Sequence, residues 1–225
     1  MTTTVALIHT ASMLAPTLTE LCRAAMPDVE FFNIVDESLL KNTIAAGEVT
    51  PTTTRRLAGY LESAEAAGAD VILVTCSSIG PAVEAARPLV NTPVLRIDQA
   101  MADQAVRLAV AQRGRIGVIA TLPTTLTPTV ALVEARATVQ GVQIEIVTVL
   151  CEGAFDAVVS GDTVTHDRLV REGLSGLMSQ VDVVVLAQAS MARVVDSLSP
   201  EEKIVPVLSS PQLGVAALKE VVDAL

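Results

Sequence analysis

Short apolar runs rich in Val, Ile and Leu alternate along the chain with longer stretches whose apolar residues recur at helical spacing. The runs predict strands at Val5–His9, Val29–Val35, Val71–Thr75 and Val94–Ile97, and again at Ile116–Ala120, Gln143–Leu150, Val183–Ala187 and Ile204–Leu208. The intervening segments predict helices over Leu14–Met26, Pro51 to Ala67, about Pro81 to Arg87, and Asp98–Gln112. Further helices are predicted from near Thr127-Pro128, over Val164 to Gln180, over Ser190–Ser197 and over Gln212–Leu225. Thr50 is a good N-cap for a helix with Pro51 at its first position, and Gly68 ends that helix. Strand and helix in alternation imply an α/β fold. The continuous apolar strands fit parallel sheets buried on both faces.

The order of elements in the first half recurs in the second. Ala69-Asp70-Val71-Ile72-Leu73-Val74-Thr75-Cys76-Ser77-Ser78-Ile79 reads against Val181-Asp182-Val183-Val184-Val185-Leu186-Ala187-Gln188-Ala189-Ser190-Met191. At about the same offset Pro93-Val94-Leu95-Arg96 lies over Pro206-Val207-Leu208-Ser209, and Val5-Ala6-Leu7-Ile8-His9-Thr10 reads against Ile116-Gly117-Val118-Ile119-Ala120-Thr121. The expected architecture is two pseudo-symmetric lobes from an internal duplication. Each carries a mainly parallel four-stranded sheet flanked by helices, with an active site in the cleft between them. Residues 1–98 with 210–225 form the first lobe and 99–209 the second.

Composition narrows the function. The 225 residues are 51% hydrophobic but only 2% aromatic, so the core is aliphatic and a stacked aromatic pocket is not expected. No apolar run approaches the ~20 residues of a membrane span. Met1-Thr2-Thr3-Thr4 lacks the basic region of a signal peptide, so a soluble cytoplasmic protein is expected. A formal net charge of −10 without a basic run argues against nucleic acid and anionic membranes as partners. Three cysteines, Cys22, Cys76 and Cys151, match no zinc spacing or disulfide framework, and with only two histidines no metal is expected. No glycine-rich phosphate loop follows the first strand, which argues against a nucleotide cofactor.

Ligands of parallel α/β sheets bind beyond the carboxyl ends of the strands. Thr75-Cys76-Ser77-Ser78 lies at such an end, and Gly80-Pro81 marks a helix start with Gly80 as its cap. Free N–H groups there favour an anion and lower the pKa of a nearby thiol. Cys76 is therefore a candidate reactive thiol or, equally, a small buried hydrophobe. Cys22 and Cys151 read as structural. His9, at the end of the first strand, is a candidate to orient a substrate carboxylate or serve as a second base, or equally a hydrogen-bonded structural histidine. Asp36 could hold an ammonium or hydroxyl group of a substrate, or cap a helix; Glu37 and Glu152 read as cap or loop. Ser209 and Ser210 line a rim or cap a helix, and His166, in a polar helix start, is expected on the surface.

Two duplicated α/β lobes with the Val-Thr-Cys76-Ser-Ser turn, the Ile119-Ala-Thr121 turn and Val-Leu-Ala-Gln188-Ala-Ser resemble the aspartate/glutamate/hydantoin racemase superfamily, which includes maleate isomerase and arylmalonate decarboxylase. The resemblance covers the whole chain. It implies a cofactor-independent enzyme in which Cys76 corresponds to the first of two cysteines that exchange a proton at the carbon α to a carboxylate. Gln188 takes the place of the second, and glutamine is neither acid nor base at neutral pH. Thr10, Thr75, Ser77, Ser78, Thr121, Thr124, Thr125, Ala189 and Ser190 are then expected to bind a small carboxylate substrate through hydroxyl and backbone N–H groups. For each Ser and Thr a helix cap is the competing role.

The expected function is a racemase or isomerase of a small acid. The alternatives are a single-cysteine decarboxylase or lyase that protonates an enediolate, a non-catalytic small-carboxylate binder, and, more remotely, a cysteine hydrolase using His9. A homodimer or higher homo-oligomer is expected for this size.

Overall fold

The computed structural model describes residues 2–225. The chain begins with β1 (Thr4–His9), a 3-10 turn (Ser12–Leu14), α1 (Ala15–Ala25), β2 (Glu30–Val35), α2 (Glu37–Ala46) and α3 (Pro51–Ala66). There follow β3 (Val71–Val74), a 3-10 turn (Ser77–Ile79), α4 (Gly80–Ala86), a 3-10 turn (Arg87–Leu89) and β4 (Val94–Arg96). The second half runs α5 (Gln99–Val110), β5 (Arg115–Ala120), α6 (Pro123–Val139), β6 (Glu145–Leu150), α7 (Ala154–Val159) and α8 (Thr163–Met178). It ends with β7 (Val183–Leu186), a 3-10 turn (Ala189–Met191), α9 (Ala192–Asp196), β8 (Val207–Leu208) and α10 (Ser210–Val222). Two compact units result: one ends at Asp98 and takes up Pro211–Leu225, and the other is Gln99–Ser210.

Each unit holds one parallel sheet, in the orders β2-β1-β3-β4 and β6-β5-β7-β8. The two orders are the same permutation, as duplication requires. In β1 the side chains alternate between two cores. Val5 and Leu7 pack with Leu18, Cys22, Ile97, Val215 and Leu218, while Ala6 and Ile8 pack with Leu39, Leu57, Leu61 and Ile79. Period-two alternation into helices on both faces is why the central strand reads as an unbroken apolar run. Val215 and Leu218 of α10 tie the chain's end into the first unit's core. In the second unit, Ile119, Val184 and Leu186 pack under Val170, Leu174 and Leu177 of α8.

The structure moves several predicted boundaries. The helix expected from Thr127-Pro128 starts at Pro123, and Pro128 lies inside it. Pro123 supplies the start signal, with its fixed φ and missing N–H at the first turn. Pro128 forfeits only a bond to a first-turn carbonyl. Helices α2 and α7 were not expected. α2 is capped by Asp36 and closed by Gly47 at φ +74°, whereas α7 has only six residues, too few for periodicity to register. The last strand shrinks to Val207–Leu208, and Ile204 is exposed. Among the described residues no helix is long and apolar enough to cross a membrane.

Candidate functional site

The carboxyl end of the first unit's sheet gathers β1, β3 and β4. Cys76 follows β3 and caps the 3-10 turn Ser77–Ile79 with extended backbone, φ −126° and ψ 115°. This geometry aims successive N–H groups of the turn back at the thiol. The thiol is partly exposed and receives hydrogen bonds from the Thr10 hydroxyl and from the N–H groups of Ser78 and Ile79. Burial pushes its pKa above the ordinary thiol value; these three donors pull against that rise without cancelling it, and the nearby negative charge of Asp98 adds to it. Cys22 and Cys151 have no such donors. Both are buried, and desolvation raises each to about 11. Of the three cysteines, Cys76 is the one whose residue is not fully buried and whose thiol receives anion-stabilising hydrogen bonds.

His9 is fully buried at the end of β1. Its Nε2 lies 2.8 Å from Asn33 Oδ1 and its Nδ1 lies 2.9 Å from Thr75 Oγ1. Thr75 Oγ1 also reaches the Ile8 carbonyl at 3.1 Å, and Thr19 Oγ1 lies 3.1 Å from Asn33 Oδ1. Burial lowers the pKa of His9 against a smaller opposing effect of Asn33. Both ring nitrogens are engaged, so His9 acts here as a neutral cross-brace between β1, β2 and β3.

Asp36 is the N-cap of α2. Its Oδ1 accepts from Ser38 N (3.0 Å) and Ser38 Oγ (2.7 Å), and its Oδ2 accepts from Tyr60 Oη (2.7 Å) and the Arg56 guanidinium. Burial acts to raise its pKa, but the hydrogen bonds and Arg56 outweigh it and hold the carboxyl below the usual range. The cap that the sequence also allowed is the role this carboxylate fills. Of the other expected residues in this unit, Thr10, Ser77 and Ser78 are buried around Cys76, the last two within its turn.

The second unit repeats the arrangement at the ends of β5 and β7. Gln188 caps the 3-10 turn Ala189–Met191 with φ −134° and ψ 137°, dihedral angles similar to those of Cys76 in its own turn. Its Oε1 accepts from Thr121 N at 2.6 Å, and its Nε2 donates to Thr121 Oγ1 at 2.7 Å. Ala189 opens the turn. Ser190 is partly exposed, and the caps beside it are Gln188 and Met191. Thr124 and Thr125 are buried in the first turn of α6, and Thr124 Oγ1 has no hydrogen-bond partner. Ser210, the first residue of α10, is buried and Ser209 is partly exposed.

Two expectations fail on packing. His166 is buried, where a surface position was expected. It shares with Val170 and Leu174 the i, i+4, i+8 stripe by which α8 meets the core, and its Nδ1 lies 2.7 Å from Asp167 Oδ1. Gly80 is the first residue of α4 rather than its cap, which is Ile79. A Cβ at Gly80 would collide with the Arg96 guanidinium. Arg96 and Asp98, both buried, form a bidentate pair with Nε–Oδ1 at 2.9 Å and Nη2–Oδ2 at 2.8 Å. Sequence reasoning missed this pair, and also Asn33. The available signal was the position of Arg96 and Asp98 two residues apart at a strand end, where side chains share a face.

The Asp/Glu/Hydantoin racemase family profile matches residues 8–218. The chain belongs to this family. Among solved structures it is similar to glutamate racemase isoform RacE1 from Bacillus anthracis, with a TM-score of 0.73 and 16% identity over 99% of this chain and 82% of that one. It is also similar to the aspartate racemase of Picrophilus torridus, with a TM-score of 0.71 and 15% identity over 98% and 94% of the two chains. The allantoin racemase of Klebsiella pneumoniae aligns with a TM-score of 0.68 and 18% identity over 99% and 88%. At these identities the likeness establishes the two-sheet α/β fold. A search of curated proteins finds no match.

Proposed function

We propose that this protein is a cofactor-independent racemase or isomerase that moves a proton at the carbon α to the carboxylate of a small acid, with Cys76 as the proton carrier. The observation that carries this reading is the set of three donors on the Cys76 thiol, the Thr10 hydroxyl and the N–H groups of Ser78 and Ile79. They stabilise a thiolate at a place where ligands of parallel sheets bind. The thiolate takes the α-proton and becomes a thiol. The electron pair of the C–H bond passes into the carboxylate as an enediolate; inversion is completed when a donor other than Cys76, such as water, protonates the opposite face of that carbon, and the Cys76 thiol then returns its proton to solvent. Hydroxyl and N–H groups of the thiol's own turn, from Ser77 and Ser78, bind the carboxylate and the charge that develops on it. Family membership supports the reaction class.

A second reading rests on Gln188, which has no titrating proton and whose amide is bound to Thr121. With a single thiol, a decarboxylase follows. The C–C bond to one carboxylate breaks, carbon dioxide leaves, the electron pair enters the remaining carboxylate as an enediolate, and the Cys76 thiol gives its proton to the carbon.

Both readings are tested by incubating the protein in deuterium oxide with small amino acids, hydroxy acids, hydantoins and malonates, beside a Cys76→Ser control. Cys76-dependent α-deuteration without gas release supports the racemase or isomerase. Carbon dioxide release with one deuteron gained supports the decarboxylase. Tight binding of one compound, unaffected by Cys76→Ser and without exchange, overturns both in favour of a carboxylate-binding protein.

A further inference from the structure

We infer that the buried Arg96–Asp98 pair is a positioning element for Cys76: the guanidinium clamps the turn that carries the thiol, and the carboxylate sets the charge that a Cys76 thiolate faces. The inference rests on Cys76 being the reacting group. Three observations lead to it. β3 and β4 pair in register with Val74 opposite Arg96 and with Ile97 N donating to the Val74 carbonyl at 3.1 Å. Cys76 and Asp98 each lie two residues beyond this last pair, just past the ends of β3 and β4, and the charge of Asp98 acts on the thiol. The guanidinium lies so close to Gly80 that a Cβ there would have to displace it, and the N–H of Gly80 bonds Ser77 O inside the thiol's own turn. Finally, the pair is bidentate and buried, while Glu84, half exposed on α4, reaches Nη1 at 3.3 Å.

A buried ion pair is poor evidence of stabilisation, because desolvation offsets much of the attraction. Its value here lies in its place. A guanidinium against backbone, held by a two-point fork, has one orientation, and it fixes the turn whose N–H groups bind the thiol. Asp98 then puts a negative charge near the sulfur and favours the protonated thiol, in agreement with the direction in which Asp98 acts on Cys76. Of the other charged or titratable groups near this turn, Asp36 at the start of α2 is paired with Arg56, and Glu84 of α4 with Arg87 and Arg96. His9, next to Thr10 on β1, is held low by burial. α2, which packs on the turn, buries only Leu39 and Thr43, and its Glu37 and Lys41 are exposed and paired with each other.

The test is the pH dependence of Cys76 alkylation by iodoacetamide, read by mass spectrometry on the folded full-length chain. Asp98→Asn is expected to move the midpoint to lower pH by about one unit, a roughly tenfold gain in rate below both midpoints. Asp98→Glu, which keeps the charge, should leave the midpoint near that of the wild type, as should Glu84→Gln. If Asp98→Asn does not fold, Asp98→Gln, a second neutral replacement that keeps Arg96, should give the same downward shift. An unchanged midpoint in either folded variant overturns the inference and reduces the pair to a structural brace. Alkylation reads the thiol without turnover. A shifted midpoint in a protein that exchanges no α-proton would therefore sink the proposed reaction and leave this inference standing.

Discussion

Gln188 is bound to Thr121 in the second unit as Cys76 is bound to Thr10 in the first. In each unit a residue that caps the 3-10 turn after the third strand meets a threonine that follows the first strand. The duplicated frame has kept the pairing and changed the chemistry of one partner. A thiol can exchange a proton; a carboxamide can hold a loop and donate a hydrogen bond, but carries no proton to give.

Removing the Gln188 amide should therefore act on stability. Gln188→Ala loses two hydrogen bonds from a part-buried site and should cost about 1–3 kcal/mol. Gln188→Glu keeps an acceptor for the Thr121 N–H, and the Thr121 hydroxyl can turn to donate, so its cost should be clearly smaller. Denaturant unfolding of both variants, with a double-mutant cycle against Thr121→Val, measures the coupling. Equal stability of Gln188→Ala and wild type would contradict the pairing.

The three cysteines should separate cleanly. In the folded protein iodoacetamide should modify Cys76 before Cys22 and Cys151: burial raises the pKa of all three thiols, but Cys22 and Cys151 are buried with a pKa of about 11, whereas Cys76 is partly exposed and has donors for its thiolate. Denaturation should make all three react. Modification of Cys151 before Cys76, mapped on peptides, would refute the assignment of Cys76 as the accessible thiol.

Alternation of apolar runs with helical stretches was enough to read the α/β class, the parallel strands and the duplication, because burial on both faces leaves a continuous signal. The position of Cys76 at the carboxyl end of the sheet was legible for a related reason: a strand end followed by a Ser-Ser turn and Gly80-Pro81 is a local pattern. The roles of His9, Asp36 and His166 were not legible. Whether His9 is a base or a brace depends on Asn33 and Thr75, both distant in sequence. Whether Asp36 is free depends on Arg56 and Tyr60, one helix later. Gly80 looked like a cap because the guanidinium that forbids a side chain there comes from another strand.

His9 should make the fold sensitive to acid. Its folded-state pKa lies below the ordinary 6.5, so below that pH the unfolded chain binds a proton that the folded chain refuses. Stability from this group is present above pH 6.5 and is lost as pH falls toward the folded value. The slope should be up to about 1.4 kcal/mol per pH unit. His9→Gln should flatten that part of the stability curve whatever its effect at neutral pH, since His166 is present in both proteins. The depressed carboxylates Asp36 and Asp182 lose their contribution only at still lower pH. A wild-type curve parallel to that of His9→Gln between pH 7 and pH 5 would show that His9 titrates normally.

Two glycines should respond to alanine in opposite directions. Gly59 lies in the middle of α3 with nothing within 4 Å of a Cβ placed on it, and its φ is not positive. Alanine there reduces the freedom of the unfolded chain and should stabilise by about 0.5–1 kcal/mol. Gly214 lies in α10, where a Cβ would run into the carbonyl oxygen of Ile97 and come within 3.0 Å of its Cα. Backbone cannot rotate aside as a side chain can. Gly214→Ala must lift α10 from the end of β4, disturb the packing of Val215 and Leu218, and cost about 1–3 kcal/mol or more. Because Ile97 joins Arg96 to Asp98, the same shift should disturb the buried ion pair and change the rate at which Cys76 is alkylated. Thermal unfolding of the two variants, with that alkylation rate measured alongside, tests whether α10 supports the thiol's surroundings or only closes the chain.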